Sequence, residues 1–179
     1  MKHISLDIET MGVSSNAAIM SIGACYFEPE TGTIGHTFNM PVSIATNGKI
    51  DASTVIWWMK QSDDARSKFF NNENASHIAY ALQQFHDFVS PRSQVWGNGI
   101  AFDNVIIRTA YEKLDLMVPW KHWDDRDVRT MVELGKQLGF DPKKDMPFEG
   151  VKHDALSDAI HQAKYVSAIW QKLTNEVAA

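Results

Sequence analysis

Asp7 and Glu9 stand two residues apart in a stretch, 2–9, whose strict alternation puts Ile4, Leu6 and Ile8 on one face of a strand and both carboxylates on the other. Anions side by side on a buried strand repel one another unless something positive sits between them, and a divalent cation is the simplest such object. Taken alone, Asp-x-Glu reads equally as a solvated edge-strand face. Asp103 follows a Gly97-Asn98-Gly99 break, where the carboxyl end of a short strand hands over to a helix, the usual location of sites in open α/β sheets. Asp158 falls in the first turn or so of the last helix, where by itself it could merely complement the helix dipole. His153 precedes it by five residues, about 140° around a continuous helix and too far to share its face. With His153 in the preceding loop and Asp154 as N-cap, both side chains can face one pocket.

These groups need a scaffold. Ala18 to Phe27 and Thr33 to Met40 read as second and third strands, joined by a Pro- and Gly-containing turn at 28–32 into an antiparallel meander. Helices are expected over Ala52–Gln61 behind Asp51, Ala75–Val89 behind Asn74, Asp103–Leu114, Val128–Leu138 and Ala155–Leu173, with short strands at Gln94–Trp96 and Trp120–Trp123. The last helix carries Leu156, Ala159, Ile160, Ala163, Val166, Trp170 and Leu173 at helical spacing. The order predicts an α/β protein, a mixed sheet flanked by helices.

A chain of 179 residues with 44% hydrophobic content suits one sizeable core, so residues 1–179 are expected to form a single domain. Cys25, the sole cysteine, lies in an apolar run and reads as a core residue in a reducing compartment. No apolar run approaches the ~18 residues of a membrane span, and no leader pattern opens the chain, so a soluble, cytoplasmic protein without a membrane partner is expected. A formal charge of −5 argues against broad wrapping of duplex DNA, but not against a site that meets a few phosphates through bound cations.

Asp7-Ile8-Glu9-Thr10-Met11-Gly12, Phe102-Asp103 and His153-Asp154-Ala155-Leu156-Ser157-Asp158 together resemble, in residue type, order and spacing, the three motifs of the DnaQ-like 3′→5′ exonucleases, the DEDDh group. Trp57-Trp58 followed by Gln61, and the short length, look like the small phage-type exonuclease A and mycobacterial exoribonuclease-like branch. The resemblance implies a ribonuclease H-like fold with a five-stranded mixed sheet. It also implies hydrolysis from the 3′ end of single-stranded or 3′-overhang nucleic acid, with RNA favoured over DNA, and release of nucleoside 5′-monophosphates. Several related exonucleases are dimers, so a homodimer is a further expectation. One departure stands out: Asn98 and Gly99 occupy places where the family usually carries a His-Asn or similar pair, which puts in doubt any substrate contact made by the missing Asn side chain.

Phosphodiester hydrolysis requires an activated water and relief of charge on the phosphoryl and leaving oxygens, which two Mg²⁺ or Mn²⁺ ions about 3.5–4 Å apart can supply when held by carboxylates. By resemblance, Asp7 bridges both ions, Glu9 and Asp158 hold the one that binds the attacking water, and Asp103 acts directly or through water. His153 is then the general base. Thr10 and Met11 resemble positions that meet the terminal sugar and base, and Phe102 and Trp58 are candidate stacking platforms, with Trp57 expected in the core. Competing readings are a ribonuclease H-like endonuclease, a binding module that no longer cleaves, and a single transition-metal site of His153, Asp158 and His161.

Overall fold

The computed structural model describes residues 1–70 and 74–177. The strands are β1 (His3–Thr10), β2 (Ile19–Glu28), β3 (Thr33–Pro41), β4 (Gln94–Gly97) and β5 (Asp125–Asp127). The helices are α1 (Ala52–Met59), α2 (Asp63–Phe70), α3 (Ile78–Phe88), α4 (Asp103–Lys113), α5 (Val128–Gln137), α6 (Pro142–Asp145) and α7 (Ala155–Val177). The sheet runs β3-β2-β1-β4-β5, antiparallel across the meander and parallel from β1 through β4 to β5. This is the expected mixed five-stranded sheet flanked by helices.

The alternation of β1 decides which face does what. Ile4, Leu6 and Ile8 are buried in a core shared with Ala81, Leu82 and Phe85 of α3 and Ile106 and Ile107 of α4. Burying aliphatic and aromatic side chains of this size contributes roughly 1.5–3 kcal/mol each. Behind the other face, Cys25, Phe27 and Trp96 pack with Val132 of α5 and Ala163, Val166 and Ile169 of α7. Cys25 is the core residue expected, and burial pushes its thiol up to about 12. At the N-terminal end of β1 the ring of His3 is buried against Phe27, Trp96 and Trp170, and its Nδ1 accepts the indole N–H of Trp96 at 3.0 Å.

The start of α7 lies directly on β2. A Cβ placed on Gly23 would sit 2.1 Å from the carbonyl carbon of Ala155, so only glycine permits this approach, and Gly23 is the β2 partner of Asp7. The close packing sets the first turn of α7 beside the carboxylates of β1.

Several elements differ from expectation. The strand predicted at Trp120–Trp123 is displaced to Asp125–Asp127, because Trp120 is a core residue whose indole N–H donates to Asp125 Oδ1 at 2.7 Å. The same oxygen accepts from Asn104 Nδ2 at 2.8 Å and from Arg108 at 3.0 Å, so a polar Asp-Arg-Asp strand is fixed by its partners rather than by apolar alternation. The helix predicted from Ala75 starts at Ile78 behind His77, whose Nδ1 accepts the Ala79 N–H. Helices α2 and α6 were not expected. Asp51 precedes α1 as predicted, but its carboxylate leaves the helix uncapped and accepts the Val13 N–H at 2.9 Å, tethering the loop after β1.

Candidate active site

The four carboxylates and the histidine singled out in the sequence come from the end of β1, the start of α4 and the start of α7. Asp103 is 3% exposed in the first turn of α4, and its Oδ1 accepts the backbone N–H of Ile8 at 3.3 Å, which ties the helix to β1 between Asp7 and Glu9. Gln162, one turn beyond Asp158 on α7, donates its side-chain amide to Asp7 Oδ1 at 2.8 Å. Asp154 caps α7 as predicted, accepting the backbone N–H and the hydroxyl of Ser157 at 3.2 and 2.6 Å. His153 therefore stays outside the helix, in a left-handed conformation (φ 63°), with its backbone N–H donated to Asp158 Oδ2 at 2.8 Å.

That turn brings side chains five residues apart into one site. Ligand atoms of Glu9, His153 and Asp158 all lie within 4.8 Å of one another. His161, the third member of the alternative transition-metal site, instead packs its ring against Phe148 and Tyr165, and among the described residues Glu9 takes its place in the cluster.

Electrostatics mark this as a costly arrangement. Burial raises Asp7 well above the usual carboxylate range, and repulsion from Asp103, Glu9 and Asp158 adds to it against the opposing amide of Gln162. Glu9 is raised in the same way by burial, then by Asp158, Asp103 and Asp154. Burial pushes Asp103 up to about 7 despite the Ile8 N–H and the guanidinium of Arg129, and it raises Asp158 against the His153 N–H. Four clustered carboxylates that resist ionisation together are a hard oxygen donor set for a divalent cation, whose charge would remove the repulsion. The residues present thus fit the metal that the sequence motifs imply.

Beside the carboxylates opens a cavity of ≈ 410 Å³ lined by Ile8, Glu9, Thr10, Gly12 and Val13 from the end of β1 and its loop, Ser53, Thr54, Trp57 and Trp58 from α1, and Phe102. Thr10, Phe102 and Trp58 line it, and so does Trp57, which was expected in the core while Trp58 was expected at the mouth. Trp58 is 1% exposed with its indole N–H donated to the Thr10 carbonyl at 2.9 Å, whereas Trp57 is 42% exposed. The His153 ring stands edge-on to both indoles, with centroids 5.0 Å from Trp57 and 6.1 Å from Trp58. Met11 is absent from this lining. Its side chain is buried with Ala18, Met20, Trp58 and Ala65, its N–H donates to Ala18 and its carbonyl accepts from Asp51, so it supports the wall and does not line the cavity. Ser53 and Thr54 were missed, and the one signal was their position a turn before Trp57.

Residues 2–170 match the family described as the 3′-5′ exoribonuclease Rv2179c-like domain, and the chain belongs to that family. An exodeoxyribonuclease of Enterobacteria phage T4 is 26% identical over 187 residues, covering 86% of this chain and 82% of that protein. Among solved structures, E. coli exonuclease I in complex with a dA16 oligonucleotide has a TM-score of 0.73 at 14% identity, over 97% of this chain but only 41% of the larger enzyme. The nuclease domain of 3′hExo, a DEDDh family member bound to rAMP, has a TM-score of 0.62 at 14% identity, covering 94% and 91% of the two chains. The Mg²⁺- and Mn²⁺-bound form of S. pombe Pop2p gives 0.63 at 14% identity, covering 94% and 82%. At these identities the solved structures establish the shared fold. Among the described residues no helix is long and apolar enough to cross a membrane.

Proposed function

We propose that the chain is a metal-dependent 3′-5′ exonuclease that removes nucleoside 5′-monophosphates from the 3′ end of single-stranded or 3′-overhang nucleic acid, with RNA as its substrate. The observation that carries this reading is the meeting of Glu9, His153 and Asp158 within 4.8 Å at the edge of an aromatic-lined cavity. Asp7, Glu9, Asp103 and Asp158 would hold two Mg²⁺ or Mn²⁺ ions, which when bound supply neutralisation of phosphate charge and acidification of water. The cavity takes the terminal nucleoside: Trp57 and Phe102 offer aromatic faces that bind any base without reading sequence, over the wall formed by Trp58 and Thr10. His153, half-buried against the indoles, would accept the proton of the attacking water at a ring nitrogen. Gln162 and the Ile8 N–H orient Asp7 and Asp103.

The family's description as an exoribonuclease supports RNA, and the phage exodeoxyribonuclease supports DNA as the second reading. The test is a time course on matched RNA and DNA, labelled at the 5′ or the 3′ end, single-stranded and with 3′ overhangs, with Mg²⁺. Mononucleotides released from the 3′ end from the outset, faster from RNA, are expected. Internal fragments would favour an endonuclease, and no turnover a binding module. Sedimentation of the same preparation reads the homodimer that the resemblance implies.

A further inference from the structure

We propose that Arg129 binds a phosphate of the substrate strand, through the space left open by Gly99 at the lip of the site. The inference rests on the reading that the substrate is nucleic acid. Arg129 is exposed in the first turn of α5, and its guanidinium folds back over the loop between β4 and α4. A Cβ placed on Gly99 would lie 3.0 Å from its Cζ and 3.1 Å from its Nε. Gly99 has φ 104°, a conformation other residues rarely adopt, so both the backbone and the missing side chain favour the guanidinium at this spot. Asn98 and Gly99 are also where the sequence departs from the family pattern.

Phe102 lines the cavity and its N–H donates to the Gly99 carbonyl at 2.7 Å, so the loop at the rim of the site is the one that carries the guanidinium. Among the described residues no hydrogen bond or ion pair engages it. The nearest acidic group in sequence, Asp127, is taken up by backbone and hydroxyl donors: its Oδ2 accepts from the N–H and hydroxyl of Thr130, its Oδ1 from the Ile100 N–H, and the carboxylate also meets the backbone N–H of Arg129. A polyanion approaching a chain of net charge −5 and a centre of four carboxylates needs a fixed cation, and guanidinium presents a planar fork of donors matched to two phosphate oxygens.

A purely supportive role, neutralising Asp103, makes a different forecast. Binding of a fluorescent single strand is measured by anisotropy with Ca²⁺ in place of Mg²⁺ to suppress turnover, for the parent, Arg129→Gln and Arg129→Lys, at several salt concentrations. Arg129→Gln should melt like the parent, bind roughly tenfold more weakly and reduce the slope of log affinity against log salt by about 0.7, the share of one phosphate on a single strand. Arg129→Lys should keep the slope and recover part of the affinity. A strand carrying one neutral methylphosphonate, moved linkage by linkage from the 3′ end, should weaken the parent at one position where Arg129→Gln is indifferent. Unchanged affinity and slope in a folded Arg129→Gln protein overturns the proposal, as does equal methylphosphonate sensitivity at every linkage. If the parent binds the strand but does not cleave it once Mg²⁺ is restored, the exonuclease reading fails while these comparisons still judge Arg129. If the parent binds no strand, both fail.

Discussion

The indole N–H of Trp58 donates to the carbonyl of Thr10 at 2.9 Å, fastening α1 to the end of the strand that carries Asp7 and Glu9. Trp58→Ala is therefore expected to destabilise the fold by about 3–5 kcal/mol, as loss of a buried aromatic does. Trp57→Ala should leave the melting temperature near that of the parent and raise KM for single strands by an amount equivalent to about 1–3 kcal/mol, with little dependence on base. Melting curves and steady-state kinetics on the pair check this, and an unaltered KM for Trp57→Ala would move stacking to Phe102.

Removing a carboxylate should abolish cleavage without unfolding the protein. Asp7→Asn or Asp158→Asn removes an oxygen ligand and relieves mutual repulsion, so the ion-free variants should melt at or above the parent's temperature. Parent-like turnover in either variant at matched Mg²⁺ would dispose of the two-ion reading.

Asp103 links that repulsion to pH. Its carboxyl titrates at about 7 in the fold against an ordinary 3.8, so between those values the folded chain keeps a proton that the unfolded chain has lost. Its contribution to stability is full below the lower value and is lost as pH rises through the upper one. Relative to ion-free parent, Asp103→Asn should gain melting temperature as pH rises from 3.8 to about 7, and Mg²⁺ should stabilise the parent more at the upper end. Parallel melting profiles for the two proteins would contradict the assignment.

His3 works in the opposite direction. Burial lowers its pKa below the ordinary 6.5, and its Nδ1 must be unprotonated to accept the Trp96 indole N–H, so its contribution is present above 6.5 and lost as pH falls through the folded value. His3→Gln should be less stable than the parent at neutral pH, with the gap narrowing on acidification. A gap independent of pH would mean that packing alone accounts for the loss.

For His153→Ala, a rate lowered by roughly 10²–10⁴-fold with Mn²⁺ affinity retained is the expected worth of a general base. Calorimetry with Mn²⁺ checks the second half: if binding disappears, His153 is a ligand, as its place in the cluster with Glu9 and Asp158 allows. Gln162→Leu should keep Mn²⁺ binding but lower kcat by about 10–100-fold with KM little changed, since the amide orients Asp7 without lining the cavity. A KM effect alone would assign Gln162 to substrate instead.

What could be read in the sequence was what depends on local periodicity and capping. Alternation in β1 separates Ile4, Leu6 and Ile8 from the two carboxylates, and an aspartate three residues before Ser157 marks the cap that leaves His153 in a loop. What could not be read depends on long-range partners. Adjacent helical residues point about 100° apart, so one of Trp57 and Trp58 had to face inward, but the choice depends on the Thr10 carbonyl 48 positions earlier. Likewise Asp125–Asp127 carries no apolar alternation, and its place in the sheet depends on Trp120, Asn104 and Arg108 converging on one carboxylate. Met11 follows the motif acids directly, yet hairpin hydrogen bonds turn its side chain into the core.

The seat of α7 on Gly23 has a consequence for biosynthesis. Asp7 and Glu9 are made about 150 residues before His153 and Asp158, and only docking of the late helix on β2 brings the two sets together. Until the late segment has been made, the two carboxylates of β1 are without the partners that complete the acidic cluster, so the cluster assembles only as the last helix docks.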